Sequence, residues 1–225
     1  MQTDIIDRLL DAATAHVPFD GWSHAAFAAT ARDAGVDIAV ARAACPRGAV
    51  DLALAYHAAG DRAMRERLEA ADLSNMRFRD RIAAAVRYRL EAGEPEMVRR
   101  GMTLFALPQH AADGARALWQ TADHIWIALG DTSDDVNWYT KRATLSGVYG
   151  STVLYWLGDD SLDHAATWEF LDRRIDDVMQ IEKLKAQVKD NKLASALMAG
   201  PMAIIGQIRA PKRDDDLPGH WSGTR

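Results

Sequence analysis

Residues 23–46 read SHAAFAATARDAGVDIAVARAACP. Ser23 can cap a helix that runs to about Asp33, and Gly35 closes that helix as a left-handed C-cap. A second short helix follows from about Asp37 to Ala44, stopped by Pro46. Upstream, Ile5, Leu9, Ala12 and Ala13 recur at helical spacing and predict a helix from about Thr3 to His16. Pro18, Asp20 and Gly21 break it. Downstream, a further helix begins near Arg47 and carries Val50, Leu52, Leu54 and Tyr56. Three short helices with a glycine turn between the second and third form a helix-turn-helix.

The remaining chain continues in the same idiom. Apolar residues return every three or four positions over about 73–91, 94–105, 109–129, 133–157 and 161–181. Gly93-Glu94-Pro95, Leu107-Pro108, Gly130-Asp131 and Gly158-Asp159-Asp160 separate these runs. No strand alternation or internal repeat interrupts them. The expected fold class is all-α, a small N-terminal head on a helical bundle. Residues 1–60 read as a degenerate helix-turn-helix head and 61–181 as a ligand-binding and dimerisation bundle. Residues 182–209 read as an amphipathic membrane-associating helix and 210–225 as a disordered tail.

Charge limits the functions open to this head. The chain carries a net charge of -5, and residues 1–60 hold seven Asp against four Arg. The third helix, which in a DNA reader carries donors and cations, offers one cation, Arg42. Such a surface repels phosphates, so no nucleic-acid partner is expected. The N-terminus has neither a basic-then-apolar leader nor an Arg-rich transit segment, and no stretch reaches the roughly 20 apolar residues of a membrane span. Cys45 is the only cysteine, so no intramolecular disulfide can form. A soluble or peripheral protein of the cytoplasm is expected.

Catalytic signatures are missing from the sequence. No two of the seven histidines are four apart, and no Glu-x-x-His pair occurs. Nucleophile-elbow and phosphate-loop motifs are also absent. The expectation is a non-enzyme with no metal and no cofactor.

Residues 131–142, DTSDDVNWYTKR, are the most distinctive segment. Thr132 or Ser133 can cap a helix whose positive end Asp134 and Asp135 complement. Trp138 and Arg142 lie four apart on one face with Tyr139 alongside, the composition of a protein-binding hot spot. From composition alone, a core Trp138 with Arg142 paired to a carboxylate fits as well.

The segment, followed by Leu145, Gly147-Val-Tyr149 and Thr167-Trp-Glu-Phe-Leu171, resembles the Coq-nine family of ubiquinone-biosynthesis proteins. The head, from Leu9-Leu10-Asp11-Ala12-Ala13 to Gly35-Val36, resembles that of TetR-type regulators. The family likeness implies a TetR-like fold that holds an isoprenoid lipid in its bundle. It also implies assistance to the di-iron hydroxylase acting on demethoxyubiquinone, with Trp138, Tyr139 and Arg142 as the patch that meets this partner.

Candidate lipid-binding residues are Trp119, Trp126, Leu129, Leu145, Tyr149, Trp156, Trp168 and Leu171, an aromatic-rich set at helical spacing that fits ordinary core equally well. Leu193, Leu197, Met198, Met202, Ile204, Ile205 and Ile208 lie in a sixteen-residue uncharged run flanked by cations. They form the candidate membrane face, with packing on the bundle or across a dimer as the rival. Mitochondrial members of the resembled family begin with a targeting peptide that this sequence lacks, so the resemblance implies a bacterial homologue, cytoplasmic and peripheral on the inner face of the bacterial inner membrane. The combined expectation is a homodimeric accessory protein that presents polyprenyl quinone intermediates to a hydroxylase. The alternative is a ligand-responsive TetR-type transcription regulator.

Overall fold

The structure is a computed structural model and describes residues 2–190 and 209–211, with side chains for 4–180 and 209–211. The candidate membrane residues Leu193, Leu197, Met198, Met202, Ile204, Ile205 and Ile208 lie outside the described residues. All regular structure among the described residues is helical.

The head contains α1 (Gln2–Ala13), α2 (Val17–Asp20), α3 (His24–Asp33) and α4 (Ile38–Ala44). Ser23 caps α3 by accepting from the Ala26 N–H, Gly35 takes the expected left-handed conformation, and Asp37 caps α4. The one-turn helix α2 was not expected. Pro18 stands in its first turn, where its missing N–H costs nothing, so proline starts a helix here rather than only ending one. On α4, Ile38 and Val40 remain exposed, and Arg42 turns to His24.

The body follows with α5 (Ala49–Ala70), α6 (Phe78–Glu91), α7 (Pro95–Phe105), α8 (Ala111–Ala128), α9 (Val136–Trp156) and α10 (Ala165–Asp190). Three starts, those of α6, α9 and α10, fall later than the periodicity suggests, and a one-turn 3-10 helix, Leu162–His164, precedes α10. Asp72 accepts from the N–H and hydroxyl of Ser74, while Arg81 donates to the Ser74 and Met76 carbonyls, fixing a turn ahead of α6. Asp131 makes the same Asx contacts with Ser133, so Asp135, not Thr132 or Ser133, caps α9. Residue 60 lies inside α5 and residue 181 inside α10, so neither expected boundary is a break in the chain. Ala210, placed in the expected disordered tail, donates its N–H to the Asp134 carbonyl at 2.9 Å.

Two apolar cores flank α5. Leu9, Val17, Trp22, Phe27, Leu52 and Met97 close the head, and Met64, Val86, Ile125, Leu145, Val153 and Trp156 close the body. Met97 belongs to α7, which is thereby tied to the head. The Trp22 indole donates to the Met97 carbonyl, and Arg100 donates twice to the Pro18 carbonyl. A helix of the body is thus pinned across the junction, and beneath it the two cores leave a space.

Candidate functional site

That space is a cavity of about 320 Å3, walled by Trp22, Met97, Met102, Phe105, Leu118 and Val153. Alanines and glycines of α7 and α8 complete the wall, keeping the helices close without filling the gap. Its volume stands at the small end of ligand pockets. One side is polar: Tyr56, His57, Arg89 and Tyr149 line it.

The polar side is organised by Asp61, whose side chain is 2% exposed. Arg89 donates its Nε–H to Asp61 at 2.6 Å and its Nη2–H to the His57 carbonyl at 3.0 Å. Thr121 donates its hydroxyl to Asp61 at 2.8 Å, and His124 Nδ1 stands 3.1 Å from the other carboxylate oxygen. Burial alone would raise the Asp61 carboxyl, but the His124 hydrogen bond and the Arg89 charge outweigh it and hold it at about 2. Burial, helped by Arg89, pushes His57 down to about 4, so it is neutral at pH 7 and forms no ion pair with Asp61. Since Thr121 spends its proton on Asp61, its oxygen accepts from His57 Nε2–H at 2.8 Å. The Nδ1 atom of His57 is left as an acceptor.

Gly60 makes this arrangement possible. A Cβ at that position would lie 2.5 Å from Arg89 Nη1 and 2.7 Å from its Cζ.

A second feature is an aromatic cluster on the outer side of α8 and α9. Trp138 meets Tyr139 edge-on at 4.8 Å, and Trp119 stands 5.8 Å from Trp138 and 6.4 Å from Tyr139. Tyr139 is exposed and donates to the Arg209 carbonyl at 3.2 Å. Arg142 is not on this surface. It is wholly buried and donates to Asp123 at 2.5 Å, to Asp131 at 3.0 Å and to the Trp138 carbonyl at 3.1 Å. Its expected contact role is therefore corrected to one of support beneath the aromatic rings.

The expected lipid residues divide. Tyr149 lines the cavity described above. Trp126 and Leu145 line a separate apolar space of about 170 Å3 between α6, α9 and α10, with Phe78, Ile82 and Ile175. Trp119 joins the outer aromatic cluster, and Trp156 and Leu171 are buried core with Leu129 and Trp168 packed against it. The sequence reading missed Asp61 and Arg89. A signal was present: Ala53, His57, Asp61, Met64 and Leu68 run along one stripe of α5, and a carboxylate in a core stripe demands a partner.

A family model described as COQ9 matches residues 111–182. Among curated relatives, the Drosophila melanogaster "Ubiquinone biosynthesis protein COQ9, mitochondrial" is 33% identical, covering 81% of this chain and 57% of the relative. The Rattus norvegicus protein of that name is 32% identical, covering 89% and 66%. For the Homo sapiens protein the values are 31% identity, 87% and 63%. The chain thus spans roughly three-fifths to two-thirds of the length of these relatives. All three are named as mitochondrial, which overturns the expected place on a bacterial inner membrane. Among the described residues no helix is long and apolar enough to cross a membrane. A solved TetR transcriptional regulator from Nitrosomonas europaea superposes with a TM-score of 0.63 at 18% identity, covering 76% of this chain and 96% of that one. That likeness concerns the fold alone.

Proposed function

Because this chain belongs to the COQ9 family, we propose that it is a non-catalytic accessory protein of ubiquinone biosynthesis. It takes the head of a polyprenyl quinone intermediate into the cavity between its two cores and presents it to a hydroxylase. The observation that carries this reading is the cavity itself, apolar on most sides and polar on one. A polyprenyl quinone is nearly insoluble in water, so a soluble active site reaches it only when a carrier shields its apolar part. At about 320 Å3 the cavity accepts a ring and the first part of a tail, leaving the rest for the membrane or a partner.

The aromatic cluster of Trp119, Trp138 and Tyr139 is the proposed hydroxylase contact, supported from below by Arg142. The hydrophobic stretch from Leu193 to Ile208 is the proposed membrane contact. A homodimer is proposed through α9 and α10. There Leu154 is 62% exposed and Tyr155 stacks on Phe170 at 4.5 Å, an apolar strip larger than a lone surface residue. Nucleic-acid binding is not part of the reading, since α4 presents Ile38 and Val40 to solvent and its single cation is engaged with His24.

The test is native mass spectrometry with solvent extraction on protein purified from its own host. A co-purifying isoprenoid quinone or precursor is expected. Protein that arrives empty and takes up neither added quinone nor quinone from vesicles would overturn the carrier reading.

A further inference from the structure

The polar side of the cavity holds more hydrogen-bonding capacity than the protein itself uses. Tyr149 is 3% exposed, yet among the described residues its hydroxyl makes no hydrogen bond. Tyr56 accepts from the Glu94 N–H at 2.8 Å, which leaves its own proton to donate. The neutral imidazole of His57 keeps Nδ1 as an acceptor. The Tyr149 hydroxyl is not one of the sealed, unpaired polar atoms of the described residues; as part of the cavity lining it opens onto that space, where a bound molecule can supply its partner.

The charges, by contrast, are already matched. Arg89 spends Nε on Asp61 and Nη2 on the His57 carbonyl, and its guanidinium carbon lies 5.8 Å from the Tyr149 ring centroid. An entering carboxylate or phosphate would have to be desolvated among methionines and aromatics while the available cation is held by Asp61. A neutral carbonyl or phenol pays no such penalty and meets two donors and one acceptor.

We propose that this wall is a head-group subsite, with Tyr149, Tyr56 and His57 as specificity-determining residues, which selects an uncharged, oxygen-bearing ring and rejects carboxylate and phosphate heads. The inference rests on the carrier reading and deepens it. The tail is held by the apolar walls with little discrimination, and the choice among amphiphiles is made at the polar side.

The experiment is calorimetric titration of the full chain with three probes of matched tail: a decyl-substituted benzoquinone, dodecanoate and dodecyl phosphate. Wild type is expected to bind the quinone at least about tenfold more tightly than either anion. Tyr149→Phe should lose about tenfold in quinone affinity, the scale of one neutral hydrogen bond, and leave the anions unchanged. Thermal melting of Tyr149→Phe should match wild type, because the lost hydroxyl has no partner within the protein; a merely structural role would lower it. Equal affinity for all three probes, or a preference for an anion, overturns the head-group proposal while leaving a carrier in place. An unaltered quinone affinity in Tyr149→Phe also overturns it. Binding of none of the three by wild type removes the carrier reading, and the subsite with it.

Discussion

Arg142 lies directly beneath Trp138, its guanidinium carbon 4.1 Å from the indole ring centroid and its side chain wholly buried. The four-residue spacing that puts them on one helical face does so by placing one residue outside and the other inside. Arg142 ties α9 to Asp123 of α8 and to Asp131 in the intervening turn, and it stacks under the ring it supports. Lys141 adds a second cation on Asp131 at 2.7 Å. Burial would raise the Asp131 carboxyl, but its hydrogen bonds to Lys141, Ser133 and Arg142 prevail and hold it at about 2.

Replacing the two residues should therefore give different losses. Arg142→Met leaves a 2%-exposed Asp131 with part of its compensation gone and should cost about 3 kcal/mol of stability. Trp138→Lys removes ring contacts at a half-buried position and should cost about 1 to 2 kcal/mol. If the cluster is the partner contact, Trp138→Lys abolishes capture of the hydroxylase while lipid uptake persists. Urea denaturation separates the stabilities, and a pull-down with the hydroxylase separates the contacts. Retained capture by Trp138→Lys would remove the aromatic cluster from the interface.

The buried histidine gives a pH dependence with a definite sign. His57 titrates near 4 in the folded chain and near 6.5 when unfolded, so between those values the unfolded state binds more protons. Its contribution is fully present above pH 6.5 and is lost as pH falls toward 4, by at most about 3 kcal/mol. Asp61, lowered to about 2 from 3.8, acts only below that window. Urea midpoints at pH 7 and pH 4.5 should differ clearly in wild type and much less in His57→Gln. Equal slopes in the two proteins would show that His57 is not held neutral.

The helices and the head were legible in the sequence because local signals write them. Ser23, Gly35 and Asp37 act on neighbours within a few residues, and each does what its chemistry dictates. The cavity was not legible, because it is where two cores fail to meet and no local pattern records a space. Trp119 shows the difficulty: its spacing from Trp126 is seven residues, which gives a shared face only if both pack on the same neighbour. Trp126 instead donates to the Lys141 carbonyl at 3.1 Å, whereas Trp119 meets Trp138. Arg142 had an even choice between surface and core in composition, and Asp131 and Asp123, eleven and nineteen positions away, decided it.

The proposed dimer face carries a prediction of its own. Leu154→Glu places a charge next to Tyr155, which stacks on Phe170, at a position that is 62% exposed in the monomer. Monomer stability should shift by less than about 0.5 kcal/mol. Light scattering behind a sizing column should then report a dimer for wild type and a monomer for the variant. A variant that remains dimeric would place the interface elsewhere.

Gly60 offers the sharpest separation between what local propensity and tertiary structure demand. It sits in the middle of α5, where glycine is about 1 kcal/mol worse than alanine, so propensity alone expects Gly60→Ala to stabilise the protein. The added methyl would stand 2.5 Å from Arg89 Nη1, in a guanidinium pinned by Asp61 on one edge and the His57 carbonyl on the other. Arg89 must then withdraw, and Asp61, 2% exposed, loses its strongest counter-charge. Overpacking of about 1 to 3 kcal/mol and a weakened buried pair together exceed the helical gain. Gly60→Ala should therefore lower stability by about 2 kcal/mol or more. It should also weaken quinone binding, because Arg89 lines the cavity. Urea midpoints and calorimetry on the one variant test both statements, and a more stable Gly60→Ala would mean that Arg89 is not held against α5.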